Sequence, residues 1–193
     1  MRAKRKTEFE FPPRHEPHTD AYFLRSAEIL RKEEINPYVR YQVFIRKGPG
    51  ATGGIDEAIA AIMKYSPKLA EHEGRIFALH DGVQYQPEET LMFIEGPVLD
   101  LIELETMYLS ILSDRTDRTN NIPEPDLEKI KTNVHEVVSI MSQSKFGPRP
   151  LSYFGARHYG YKWDDKISRA AYEGGASSAS TDIGAATFGQ KGV

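Results

Sequence analysis

Apolar residues return along this chain at two spacings, and the switch between them marks its elements. Over residues 21–34, Phe23, Ala27 and Leu30 recur every three to four positions while Arg25, Glu28, Arg31 and Lys32 lie largely elsewhere, which predicts an amphipathic helix. Thr19 or Asp20 is placed to cap its first turn, and Pro37 ends the run. Residues 38–46 are β-branched and aromatic with partial alternation, predicting a strand. Residues 48–54 read as a flexible glycine-rich loop and 56–64 as a short amphipathic helix. Strands are predicted over 75–80 and 83–86, with Asp81-Gly82 between them as a hairpin turn, and over 90–94, continuing into Glu95-Gly96-Pro97. Residues 98–112 carry Leu101, Ile102, Leu104, Met107, Tyr108, Ile111 and Leu112, the pattern of one mostly buried helix.

Residues 113–125 are polar and contain two prolines, the best candidate for a domain boundary. A helix from Pro125-Asp126 to about Gln143 follows, with Leu127, Ile130, Val134, Val137, Val138 and Met141 on one face, and residues 146–150 stop it. Residues 151–154 are short and apolar, as a buried parallel strand would be. Asp164 or Asp165 is placed to cap a helix through Tyr172, ended by Gly174-Gly175, and a tail rich in small residues closes the sequence. The division that follows is an N-terminal tail (1–17), a mixed α/β domain (18–120), and the first part of an α/β barrel (121–193).

Composition narrows the function classes. Hydrophobic residues are 39% and charged residues 27% of 193, enough apolar material for a core. Lys and Arg number 25 against 28 Asp and Glu, a net charge of -3, so the chain lacks the basic excess of a nucleic-acid binder. With 0 Cys, disulfides and thiolate metal sites are excluded. No apolar run approaches the ~18–20 residues that cross a bilayer, and the basic start (Arg2, Lys4, Arg5, Lys6) is not followed by a signal-type apolar stretch. The expected address is the cytoplasm, with no membrane and no nucleic-acid partner. The six His residues are scattered, and no metal site is expected from them.

Three segments offer chemistry. The 48–54 loop lacks the Lys-Ser/Thr pair of a P-loop, so a plain turn fits it better than a phosphate cradle. Phe154-Gly155-Ala156-Arg157 follows a predicted strand, at the end where α/β folds collect ligands: Phe154 offers a flat face and Arg157 a bidentate grip on an anion. A strand-to-loop turn with a core Phe and a surface Arg is the equal alternative. Residues 174–182 form a second small-residue loop, either an anion site at a helix N-terminus or a connection capped by Asp182.

On these residues the sequence resembles the nicotinate phosphoribosyltransferase family. Thr19-Asp20-Ala21-Tyr22 is similar to its Thr-Asp-x-Tyr opening, Glu95-Gly96-Pro97 with Glu105-Thr106 to its Glu-Gly-Pro … Glu-Thr stretch, residues 154–157 to its Phe-Gly-x-Arg, and residues 169–175 to its Arg-Ala-Ala-Tyr-x-Gly-Gly run. The resemblance implies an α+β N-terminal domain on an incomplete α/β barrel. It implies an enzyme joining nicotinate to phosphoribosyl pyrophosphate, with Mg²⁺ and ATP coupling, working as a head-to-tail homodimer. It implies substrate binding by Phe154 stacked on the pyridine ring, Tyr22 supplied to the partner's site for the other ring face, Arg157 near the carboxylate or the phosphoribosyl group, and Ser180 at the family's serine. Residues 114–119 depart from the family's basic segment, so no contacts are carried over there, and His158 stands where another Arg is common. The family's phosphorylated His would fall beyond Val193, so the chain is expected to hold between one and two barrel units of about 30 residues and to be inactive alone. The alternatives are a quinolinate phosphoribosyltransferase-like enzyme and a non-catalytic binding protein.

Overall fold

A computed structural model describes residues 9–145, 147 and 149–193; residues 1–8 of the predicted tail, and Phe146 and Pro148 in the predicted helix stop, lie outside them. In chain order the elements are α1 (Ala21–Lys32), β1 (Tyr38–Phe44), β2 (Gly50–Ala51), α2 (Ile55–Tyr65), β3 (Arg75–Ala78), β4 (Gln84–Tyr85), β5 (Thr90–Pro97) and α3 (Val98–Leu101). A 3-10 turn (Ile102–Leu104) leads into α4 (Glu105–Thr119), followed by α5 (Leu127–Ser142), β6 (Ser152–Tyr153), α6 (Asp164–Glu173), β7 (Ser178–Ala179) and α7 (Asp182–Ala186). The class is α+β.

The main sheet is antiparallel in the order β1-β5-β3, with Ile94 opposite Tyr41 on one side and Ile76 on the other. As the central strand, β5 buries Leu91, Met92 and Ile94, and these join Val43, Ile55, Ile62, Leu101, Met107 and Ile111 in one core beneath α2 and α4. The hairpin expected at Asp81-Gly82 does not form. β3 pairs with β5 and β4 with β2, so the backbone donors and acceptors of β3 are met by the central strand rather than by its sequence neighbour. Asp81 instead accepts the Ile55 amide at 2.7 Å, capping α2 from a loop remote in sequence.

The glycine-rich loop is fixed rather than flexible. The amides of Ala51, Thr52 and Gly53 donate to Asn120 Oδ1 (2.8 Å), Val83 O (2.9 Å) and Thr116 Oγ1 (3.2 Å), so these donors are not free to cradle a phosphate. A Cβ on Gly53 would lie 2.5 Å from the Arg115 carbonyl oxygen, and Gly54 sits at φ +79°, so both positions need glycine for the loop to lie against α4.

The single helix expected over 98–112 is broken into α3, the 3-10 turn and α4, and α4 then runs on to Thr119 through the polar stretch expected to be a boundary. That stretch is helical because it packs. Thr116 is buried and donates to Gly53 O at 3.1 Å, Arg115 forms a two-point ion pair with Glu57, and Asn120 donates to Ala51 O at 2.8 Å. Asp126 caps α5 by accepting the Lys129 amide at 3.0 Å. No residue of α5 is buried, and Ile140, off the predicted apolar face, is 70% exposed.

β6 and β7 pair in parallel, with α6 between them in the chain, as the expected βα pattern requires. β6 is half-buried rather than buried. Asp164 does not cap α6. It lies buried in the first turn, where its Oδ2 accepts from the Thr181 hydroxyl. Thr181, not Asp182, caps α7 by accepting the Gly184 amide at 3.0 Å, and Asp182 accepts the Gly192 amide at 2.9 Å. The end of β7 closes on α1 through Ala21 N–H to Ser180 O at 2.7 Å. Among the described residues no helix is long and apolar enough to cross a membrane.

Candidate functional site

The starts of α1 and α4 and the loop after β6 converge on one cluster. Asp20 occupies the cap position of α1 but makes no side-chain cap bond. Its carboxylate turns inward, 1% exposed, and Oδ2 accepts from Tyr22 Oη (3.2 Å) and Thr106 Oγ1 (3.1 Å), with Arg157 Nε at 3.4 Å. A buried carboxylate is tolerated only when paired and hydrogen-bonded; these three partners all serve Oδ2, while Oδ1 is buried with no hydrogen-bond partner among the described residues. Arg157 also donates from Nη1 to Glu105 Oε1 at 2.7 Å. Its guanidinium lies 6.0 Å from the centre of the Phe23 ring, within cation–π reach.

Tyr22 and Phe154 face each other nearly in parallel, with ring centroids 6.3 Å apart and an interplanar angle of 24°. Phe154 is 45% exposed, so this aromatic pair opens to solvent. Burial, and then the neighbouring Asp20 charge, push the Tyr22 phenol up to about 12, so it stays protonated and donates to Asp20. Burial by itself would lower the Arg157 guanidinium, but Tyr22, Asp20 and Glu105 hold it above its ordinary value. His158 is pushed down by burial and by Arg157, away from the imidazolium form.

Of the residues singled out in the sequence, Tyr22, Phe154 and Arg157 therefore come together within one chain, whereas the resemblance implies a Tyr22 supplied to the partner's site. Ser180 lies at the end of β7, where its amide donates to Tyr153 O at 3.0 Å and its carbonyl accepts the Ala21 amide at 2.7 Å, one residue along the chain from Phe154 and from Tyr22. It is 1% exposed, and among the described residues its hydroxyl has no hydrogen-bond partner. The sequence marks Asp20 as a cap and motif residue and Glu105 and Thr106 as motif residues, yet Asp20 and Glu105 hold the guanidinium and Thr106 holds Asp20. The signal available was their place in Thr-Asp-x-Tyr and Glu-Thr. The other motifs are structural here: Glu95 pairs with Arg40 across the sheet, and Ala170 and Ala171 are buried in α6. The cluster holds two carboxylates and one guanidinium beside a flat aromatic slot that opens to solvent. Among the described residues no group of three or more His, Cys, Asp or Glu side chains is arranged to hold a metal ion.

Residues 20–115 match the family model of the quinolinate phosphoribosyl transferase N-terminal domain. No curated protein matches the chain. Among solved structures, a nicotinate phosphoribosyltransferase from Vibrio cholerae gives a TM-score of 0.63 at 19% identity, covering 95% of this chain and 52% of that one. A nicotinate phosphoribosyltransferase from Porphyromonas gingivalis gives 0.55 at 17% identity, covering 92% and 52%. A nicotinate-nucleotide pyrophosphorylase from Pyrococcus furiosus is 27% identical, covering 96% and 44%, with a TM-score of 0.45. The chain thus spans about half the length of these structures, and the Vibrio and Porphyromonas likenesses are likenesses of fold. The matched segment holds α1, the three-stranded sheet and most of α4, including Asp20, Tyr22, Glu105 and Thr106. Residues 20–115 are therefore similar to the quinolinate phosphoribosyl transferase N-terminal domain.

Proposed function

We propose that this chain is part of a cytoplasmic nicotinate phosphoribosyltransferase of NAD biosynthesis, binding a pyridine carboxylate between Tyr22 and Phe154 with its carboxylate at Arg157. The ring nitrogen attacks the anomeric carbon of phosphoribosyl pyrophosphate, pyrophosphate leaves, and nicotinate mononucleotide forms. The observation that supports this most is the near-parallel Tyr22–Phe154 pair beside Arg157. Its centroid separation of 6.3 Å compares with the ~7 Å that a third ring needs at about 3.5 Å from each wall, so a small opening of the pair admits a pyridine. Rate enhancement in such a site comes from holding the ring nitrogen in line with the sugar carbon, which aromatic walls do without a general base.

Mg²⁺ accompanies the pyrophosphate of the substrate in this proposal. The described residues offer it no cage of their own, and no step is routed through it. ATP coupling and a head-to-tail homodimer complete the reading, with Ser180 as a further substrate contact. The family match over residues 20–115 favours quinolinate as the second reading. Charge argues for nicotinate: a dicarboxylate brings two negative charges to a cluster where Asp20 and Glu105 already face one guanidinium.

The test is calorimetric titration of the purified chain with nicotinate, nicotinamide and quinolinate. Nicotinate is expected to bind tightest. Phe154→Ala is expected to weaken it about tenfold, in line with the ~1 kcal/mol scale of ring stacking, and Arg157→Ala by more. Because Phe154 is half exposed, its removal leaves thermal stability nearly unchanged. Tightest binding of quinolinate, or no binding of any of the three at millimolar concentration, refutes the assignment.

A further inference from the structure

Arg157 is held by two carboxylates of different character. Glu105, which accepts from Nη1 at 2.7 Å, keeps a quarter of its side chain in solvent, whereas Asp20, opposite Nε at 3.4 Å, is 1% exposed. A solvated carboxylate leaves a guanidinium at little cost, because water replaces the lost bond. A buried one cannot leave without stranding charge. The two anchors therefore divide into one that exchanges and one that stays.

What keeps Asp20 in place is Thr106. Its hydroxyl donates to Asp20 Oδ2 at 3.1 Å and accepts the Asp20 amide at 3.0 Å, so one oxygen grips the same residue at backbone and side chain. A hydroxyl has one donor and two acceptor positions, and this clasp uses one of each. Thr106 is 1% exposed and β-branched, so its own rotamer is restricted. Oδ2 also receives the Tyr22 phenol, so the clasp fixes one wall of the aromatic slot as well as the guanidinium.

We propose that Thr106 is a positioning residue. By clasping Asp20 it fixes the permanent anchor of Arg157 Nε and of Tyr22 Oη, and it leaves Glu105 as the exchangeable partner whose place at Nη1 a pyridine carboxylate takes. The ligand part of this statement rests on the pyridine-carboxylate reading above; the positioning part does not. A merely structural Thr106 would stabilise the α1–α4 junction without setting the state of the Arg157 side chain.

Two readouts on the full chain separate these. In the first, arginine side chains are labelled with ¹⁵N and the Arg157 Nε–H signal is assigned by its loss in Arg157→Lys. In the wild type it should exchange with water at least tenfold more slowly than an exposed arginine such as Arg25. In Thr106→Val it should move and exchange about ten- to hundredfold faster, the range expected when the Asp20 carboxylate paired with Nε loses its hydrogen bond from the Thr106 hydroxyl, and Thr106→Ser should restore it. In the second, nicotinate affinity should fall about tenfold or more in Thr106→Val, recover in Thr106→Ser, and rise severalfold in Glu105→Gln as the competing charge is removed. If the wild type binds no nicotinate, the pyridine-carboxylate reading fails while the exchange measurement still decides the positioning role. An unchanged Arg157 signal in a folded Thr106→Val overturns that role. Should this variant not fold, fast Nε–H exchange in the wild type overturns it equally.

Discussion

Asp164 gives a stability prediction whose sign runs against the usual behaviour of carboxylates. It is 3% exposed, its Oδ2 takes the Thr181 hydroxyl, and its Oδ1 has no hydrogen-bond partner among the described residues. Burial pushes its carboxyl up from the ordinary 3.8 to about 6; Asp20 and Asp165 push the same way, and the Thr181 bond opposes them. Between those values the folded chain holds a proton that the unfolded chain has released. The folded state therefore binds more protons, and stability falls as pH rises through about 4 to 6. At 1.36 kcal/mol per pH unit, the penalty at neutral pH is about 3 kcal/mol. Asp164→Asn removes the charge and keeps an oxygen for the Thr181 hydroxyl. Urea unfolding from pH 4 to pH 8 should show the variant more stable than wild type by up to about 3 kcal/mol above pH 7, with the gap closing toward pH 4. Glu103 is held low by its hydrogen bonds with His15 and Arg31, so it titrates in the opposite sense, but it does so in both proteins and cancels from the difference. A gap that stays constant with pH, or widens as pH falls, refutes the reasoning.

Two further outcomes test the packing that carries the site. Gly53→Ala should cost about 1–3 kcal/mol in urea unfolding, because the new methyl meets the Arg115 carbonyl oxygen at 2.5 Å and the α2 loop must lift from α4; an unchanged midpoint would mean that the loop is mobile after all. Leu101→Ala should cost about 2–5 kcal/mol, since Leu101 is 0% exposed within the core; a smaller loss would show that α3 collapses into the space.

The amphipathic helices α1, α5 and α6 and the strands β1 and β5 were legible along the chain because periodicity is a local property, and each element declares its face within a few residues. Phe154 and Arg157 were legible from their place after a predicted strand and beside Gly155, whereas Tyr22 was legible only through the resemblance to the nicotinate phosphoribosyltransferase family. Partner choice was not. Asp81-Gly82 has the composition of a hairpin turn, yet β3 joins β5 and Asp81 caps α2, since unpaired strand backbone and an orphan amide are satisfied by whatever the fold brings near. The run from Ser113 to Thr119 is polar enough for a linker and still helical, because its Thr116 and Arg115 find partners in Gly53 and Glu57. Asp20 and Asp164 stand where caps are expected, and both turn inward to hydroxyls and a guanidinium contributed by distant segments. The sequence by itself thus determined the longer amphipathic elements and which residue types could meet a ring and a carboxylate, while the short strands β2 and β7 and the run of α4 to Thr119 did not show in it. Only the tertiary structure decided that Asp20, Glu105, Thr106 and Arg157 form one web, because a buried charge is bearable only where partners from three separate segments arrive together.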